Sequence, residues 1–146
     1  MFRGIEHSDS WSEITPVTAG WSGDEKYRVR APEGELLLRI TAKDKAANRE
    51  REFQTLRLWN GTPLNIPRAV RFGPCEGGVY TLLTWVEGQP AEELLPSLSV
   101  AQQRRAGEQA GAILRQLHAR PAPEGTPDWA ERFGAKMRRK VELYRA

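Results

Sequence analysis

Residues 32–53 read PEGELLLRITAKDKAANREREF, and three changes of pattern within them decide the fold. Pro32-Glu33-Gly34 is turn chemistry: proline presets φ, and glycine accepts the positive φ that other residues resist. Glu35-Leu36-Leu37-Leu38-Arg39-Ile40 is apolar at consecutive positions, so a strand here is covered on both faces rather than wet on one. From about Asp44 the period lengthens to that of a helix reaching about Asn60, where Gly61 and Pro63 are stop signals. Successive residues turn by about 100°, so Ala46, Arg49, Glu52, Phe53, Leu56 and Trp59 share a sector, which turns Glu52 inward. A buried carboxylate needs a partner. Arg39 on the preceding strand would supply one as a strand-to-helix ion pair; the plainer alternative leaves Arg39 in a surface bridge and Glu52 at the edge of the apolar stripe.

On the N-terminal side, residues 11–17 and 26–31 are short β-prone runs joined by Thr18-Ala19-Gly20-Trp21-Ser22-Gly23-Asp24. Its two glycines either let backbone N–H groups approach a phosphate or simply close a hairpin. On the C-terminal side, residues 68–72 and 79–86 read as two further strands around the turn Gly73-Pro74-Cys75-Glu76-Gly77-Gly78. The expected fold class is α+β: a five-stranded antiparallel sheet with one packed helix, then two or three helices. Ser99 with Gln102 forms a capping box for a helix carrying Ala106, Ala110, Ile113, Leu114 and Leu117. After a linker over residues 121–125, Thr126 is read as N-cap and Pro127 as the first residue of a final helix, with Ala130, Phe133, Met137, Val141 and Tyr144 on one stripe. Left uncovered, that stripe predicts self-association or a covering segment.

Composition narrows the class. The 146 residues are 28% charged and 39% hydrophobic, ordinary for a globular chain and long enough for a core without disulfide staples. A single cysteine, Cys75, permits no internal bridge and fits a reducing, cytoplasmic setting. No run of 18 apolar residues and no secretory leader pattern occurs, so no membrane association is expected. Residues 1–98 hold 12 Lys/Arg against 14 Asp/Glu, net −2, and residues 99–146 hold 10 against 5, net +5. That excess centres on Lys136, Arg138, Arg139 and Lys140, which could meet a polyanion, but no interleaved aromatic platform argues for nucleic acid.

In order, Gly20-Trp21-Ser22-Gly23-Asp24-Glu25-Lys26-Tyr27, Leu36-Leu37-Leu38-Arg39-Ile40, Glu50-Arg51-Glu52-Phe53, Ile66-Pro67-Arg68 and Leu82-Leu83-Thr84-Trp85-Val86-Glu87-Gly88 resemble the N-terminal lobe of the aminoglycoside phosphotransferase family. These are small-molecule kinases with a protein-kinase-like fold. The resemblance implies a nucleotide-binding lobe over residues 1–87, a hinge or linker over 88–98, and the helical start of an incomplete second lobe over 99–146. It implies ATP as cofactor, magnesium where the second lobe is complete, and a small-molecule hydroxyl as acceptor of the γ-phosphoryl group. Arg39 takes the place of the strand cation that holds the α- and β-phosphates, usually Lys, and Glu52 that of the helix carboxylate orienting it. Gly20, Trp21, Ser22, Gly23 and Asp24 would cover the phosphates. Thr84, Trp85 and Val86 would be the hinge, with the Thr84 carbonyl and the Val86 N–H bonding the adenine edge.

The family's phosphoryl transfer also needs a catalytic-loop Asp and an Asn and a second Asp for magnesium. The chain's four Asp, Asp9, Asp24, Asp44 and Asp128, match none of those patterns. His7 in an N-terminal tail and His118 at a helix end do not read as general bases, nor Cys75 as a nucleophile. The expected function is therefore the ATP-binding portion of a small-molecule phosphotransferase, inactive alone. The alternatives are a non-catalytic nucleotide-binding or regulatory module and a basic nucleic-acid-interacting protein.

Overall fold

The computed structural model describes residues 2–20, 22–122 and 124–145. They divide into two compact units, the first ending at Ala91 and the second beginning at Glu92. In the first unit β1 (Glu13–Pro16), β2 (Glu25–Ala31), β3 (Gly34–Ala42), β4 (Ala69–Cys75) and β5 (Gly78–Thr84) form one antiparallel sheet in the order β1-β2-β3-β5-β4. The helix α1 (Ala46–Arg57) connects β3 to β4. This is the expected α+β arrangement of five antiparallel strands and one packed helix.

β3 is central, and both its faces are covered. Leu36 and Leu38 join Ile5, Val29, Ala31, Tyr80 and Leu82 in one core layer, with Phe2, Trp11, Tyr27, Ile40 and Cys75 packed against it. Leu37 faces the other way, with Phe53, Leu56, Phe72, Ala69 and Leu83, beneath α1. Arg39, two residues along, shares the α1 face. The first layer corrects the reading of the stretch around His7 as an N-terminal tail. Ile5 is buried, and the Phe2 ring meets Trp11 and Tyr27 edge-on at centroid distances of 5.8 and 5.3 Å, because the sheet's second face needs a cover.

Two boundaries also shift. Residues 73–78 are not a six-residue turn: β4 and β5 pair as far as Cys75 and Gly78, leaving Glu76-Gly77 between them. Pro74 is tolerated because β4 is an edge strand, where a missing N–H costs no ladder bond. The first strand is Glu13–Pro16, with Trp11 serving the core layer instead. Beyond α1, the Arg68 guanidinium donates to the carbonyls of Trp59, Thr62 and Leu64 and to the Thr62 hydroxyl. One side chain thus fixes the loop between α1 and β4.

The second unit holds most of α2 (Ala91–Leu94), then α3 (Val100–His118) and α4 (Trp129–Arg145). α3 begins at the expected capping box: Ser99 Oγ accepts from the Gln102 N–H, and Gln102 Oε1 accepts from the Ser99 N–H. α4 starts later than expected. Asp128 Oδ1 accepts from the N–H groups of Ala130 and Glu131 at 2.8 and 3.2 Å, so Asp128, not Thr126, is the cap and Trp129 opens the helix. An Asp carboxylate at this end satisfies two orphan donors and complements the helix dipole. Phe133, Met137, Val141 and Tyr144 are exposed along α4, and Trp129 stacks on Phe133 at 4.8 Å. No described helix is long and apolar enough to cross a membrane.

Candidate functional site

The loop between β1 and β2 is closed at its base by the Val17 N–H donating to the Lys26 carbonyl at 2.8 Å. Lys26 Nζ reaches back to the Ala19 carbonyl. Gly20 sits at φ +95°, a left-handed conformation that favours glycine. An open cleft of about 420 Å³ lies beside it, lined by residues including Thr18, Gly20, Ser22, Asp24, Lys26 and Tyr27. Trp21 lies outside the described residues.

Asp24 ends this loop, and its side chain is only 1% exposed. Pairing of β2 with β3 sets Lys26 opposite Arg39, which brings Arg39 Nε to 3.7 Å from Asp24 Oδ2. From α1, Arg49 Nη2 reaches the same oxygen at 2.6 Å, while Arg49 Nη1 holds Glu52 Oε2 at 2.7 Å. Arg39 Nη1 also approaches Glu52 Oε2, at 3.4 Å. Strand and helix therefore do meet through Arg39 and Glu52, within a four-membered cluster of two acids and two guanidiniums. Glu52 does not point inward: its side chain is 53% exposed, against 16% for Arg49 and 24% for Arg39. Arg49 is the helix residue turned in beside Phe53, one turn along on the same stripe. Asp24 Oδ1, Arg39 Nε and Arg49 Nε are buried without a hydrogen bond. Arg49 is the residue missed; a second cation in the helix's inward sector was the available signal.

At the other end of the same sheet face lies the segment that follows β5. Thr84 exchanges bonds with Arg68: its N–H donates to the Arg68 carbonyl at 3.0 Å, and its hydroxyl accepts from the Arg68 N–H at 2.8 Å. The Trp85 N–H donates to the Glu35 carbonyl at 2.9 Å. The Arg28 guanidinium lies over the Trp85 ring, 4.8 Å from its centroid. Arg28 also bonds Glu35 at 2.7 Å and Glu87 at 2.5 Å, and Arg30 bonds Glu35 and Glu13 at 2.7 and 2.6 Å. The hydrogen bonds from Arg28 and Arg30 hold the Glu35 carboxyl below the usual carboxylate range, and burial opposes them only in part. Sequence reading did not find this ladder, because its members lie on three strands and the post-β5 segment.

The remaining candidates are placed in structural settings. Asp9 lies in a short 3-10 turn, Asp44 in another before α1, and Asp128 caps α4. Burial pushes the Cys75 thiol up, a hydrogen bond with the Gly78 backbone opposing it, which disfavours a thiolate nucleophile. Among the described residues no group of three or more His, Cys, Asp or Glu could hold a metal ion. What the cluster offers is two guanidiniums balanced by two carboxylates at the end of a glycine loop, with Arg39 the more loosely held of the two cations. Among protein families, the phosphotransferase enzyme family matches residues 13–146. No match is found among curated proteins.

Proposed function

The chain belongs to the phosphotransferase enzyme family, and from that premise we propose that it holds ATP for transfer of the γ-phosphoryl group to a hydroxyl of a small-molecule acceptor. The observation that carries the reading is Arg39, held loosely by two carboxylates at 3.4 and 3.7 Å beside the glycine loop. A guanidinium so placed can turn from the buried Asp24 to phosphate oxygens in its fork geometry. Glu52 orients it, and the loop residues Gly20, Ser22, Gly23 and Asp24 cover the phosphates. Of the hinge Thr84, Trp85 and Val86, the Thr84 carbonyl and the Val86 N–H are offered to the base, the Trp85 N–H being held by the Glu35 carbonyl. Thr81 pairs with Arg39, and Trp85 lies four residues further, about 13 Å along the strand direction, the scale of a nucleotide from base to phosphates.

ATP would supply the phosphoryl group; these residues bind and orient it. The donor set does not fit magnesium, and no residue here is assigned a metal step. Nor does any Asp take the role of accepting the acceptor's proton, so these 146 residues are proposed to bind nucleotide without turning it over. Titrating ATP while following tryptophan emission, with equilibrium dialysis alongside, should give saturable binding that Arg39→Ala weakens at least about tenfold, the scale of a charge-assisted contact. A coupled assay for ADP should stay at background. Absence of saturable binding in the unsubstituted chain would overturn the reading.

A further inference from the structure

We propose that Arg49 is the positioning residue of this site: it holds Asp24 and Glu52 so that Arg39 can leave the buried Asp24 for a phosphate while Glu52 still orients it. The inference rests on the nucleotide reading above and says how the cation is released. Asp24 is almost wholly buried, its Oδ1 has no hydrogen bond, and its Oδ2 has two cationic neighbours, Arg49 at 2.6 Å and Arg39 at 3.7 Å. If Arg39 were the only cation present, moving it to a phosphate would leave a buried carboxylate unpaired, a state that is strongly disfavoured. With Arg49 in place the departure leaves Asp24 on its shorter contact. Glu52, fixed by Arg49 at 2.7 Å, stays within reach of Arg39 at 3.4 Å and keeps its orienting role. Arg49 is suited to the task as an arginine. Its two Nη atoms hold one acid each, from the loop and from α1, a planar fork that a lysine's single ammonium does not reproduce.

The test is the affinity of the full chain for Mg·ATP, measured by calorimetry on variants whose folding is checked by circular dichroism. Arg49→Gln should weaken binding by about tenfold to a hundredfold, because Arg39 is then retained by Asp24. Removing the acid should undo this. The double variant Asp24→Asn/Arg49→Gln should recover to the affinity of Asp24→Asn alone, whereas Glu52→Gln in the Arg49→Gln background should not recover, since Glu52 orients Arg39 rather than retaining it. That rescue separates positioning from a direct contact of Arg49 with phosphate, for which the double variant would stay weak. Should Arg49→Gln fail to fold, Arg49→Lys decides: weakened binding supports the proposal. Wild-type affinity in Arg49→Gln or Arg49→Lys, or no recovery in the double variant, overturns it and leaves the nucleotide reading standing. Absence of Mg·ATP binding in the unsubstituted chain removes both.

Discussion

Arg49 and Glu52 show where a helical wheel loses resolution. They are separated by three residues, so Glu52 lies about 60° from Arg49 and Phe53 about 40° to its other side. A sector wide enough to take in all three cannot say which edge is wet. The meeting of Arg39 with Glu52 was legible because strand period and helix period each point a charged residue at the same junction. The contact of Arg49 with Asp24 was not, since it depends on where the β1–β2 loop delivers that acid. Gly78 is a second case in which local pattern understated a tertiary demand. Its φ is +152°, and a Cβ there would lie 2.1 Å from the Thr41 carbonyl oxygen, whereas at Gly77, φ +94°, nothing lies within 4 Å. Gly78→Ala must therefore move backbone of β3, and we expect it to cost roughly 2–4 kcal/mol. Gly77→Ala meets only the dihedral penalty, about 1 kcal/mol. Urea unfolding of the two variants checks the order; equal losses would mean that β3 yields to the added methyl.

At the scale of elements, strands and helices were read well wherever a pattern repeats and less well where one residue ends it. The apolar run Leu36-Leu37-Leu38 required cover on both faces, and receives it from α1 and from the N-terminal segment. That segment carries no periodicity, and only the unmet face of the sheet could have announced it. Residues 126–128 hold two competing caps, and Asp128 prevails because its carboxylate accepts two N–H groups at once. α3 makes the complementary point. No residue in it is fully buried, so its first turn depends on local bonds more than on packing. Ser99→Ala should therefore cost the helix about 1 kcal/mol, read as faster amide exchange at Gln102 and Gln103, with the sheet's amides unaffected. Unchanged exchange at those two positions would show that the capping box does not hold the turn.

For the molecule as a whole, the ladder of Glu13, Arg30, Glu35, Arg28 and Glu87 ties β1, β2, β3 and the segment after β5 into one row of alternating charge. Glu35 is its centre, bonded by two guanidiniums. The folded carboxyl titrates below its unfolded value of about 4.3, so the folded state binds fewer protons there than the unfolded state. Its stabilising effect is complete above the unfolded value and is lost as the pH falls through the folded one. Acidification also protonates the other carboxylates of a chain with 22 Lys/Arg, so a falling melting temperature alone does not isolate Glu35. The variant Glu35→Gln does, because it keeps the shape and removes the charge. Between pH 7 and about pH 5 it should melt below the parent chain by a constant margin, and that margin should shrink as the pH falls below the unfolded value of about 4.3. A margin unchanged at pH 3 would mean that the loss at neutral pH came from packing of the side chain and not from the ion pairs that join these four segments.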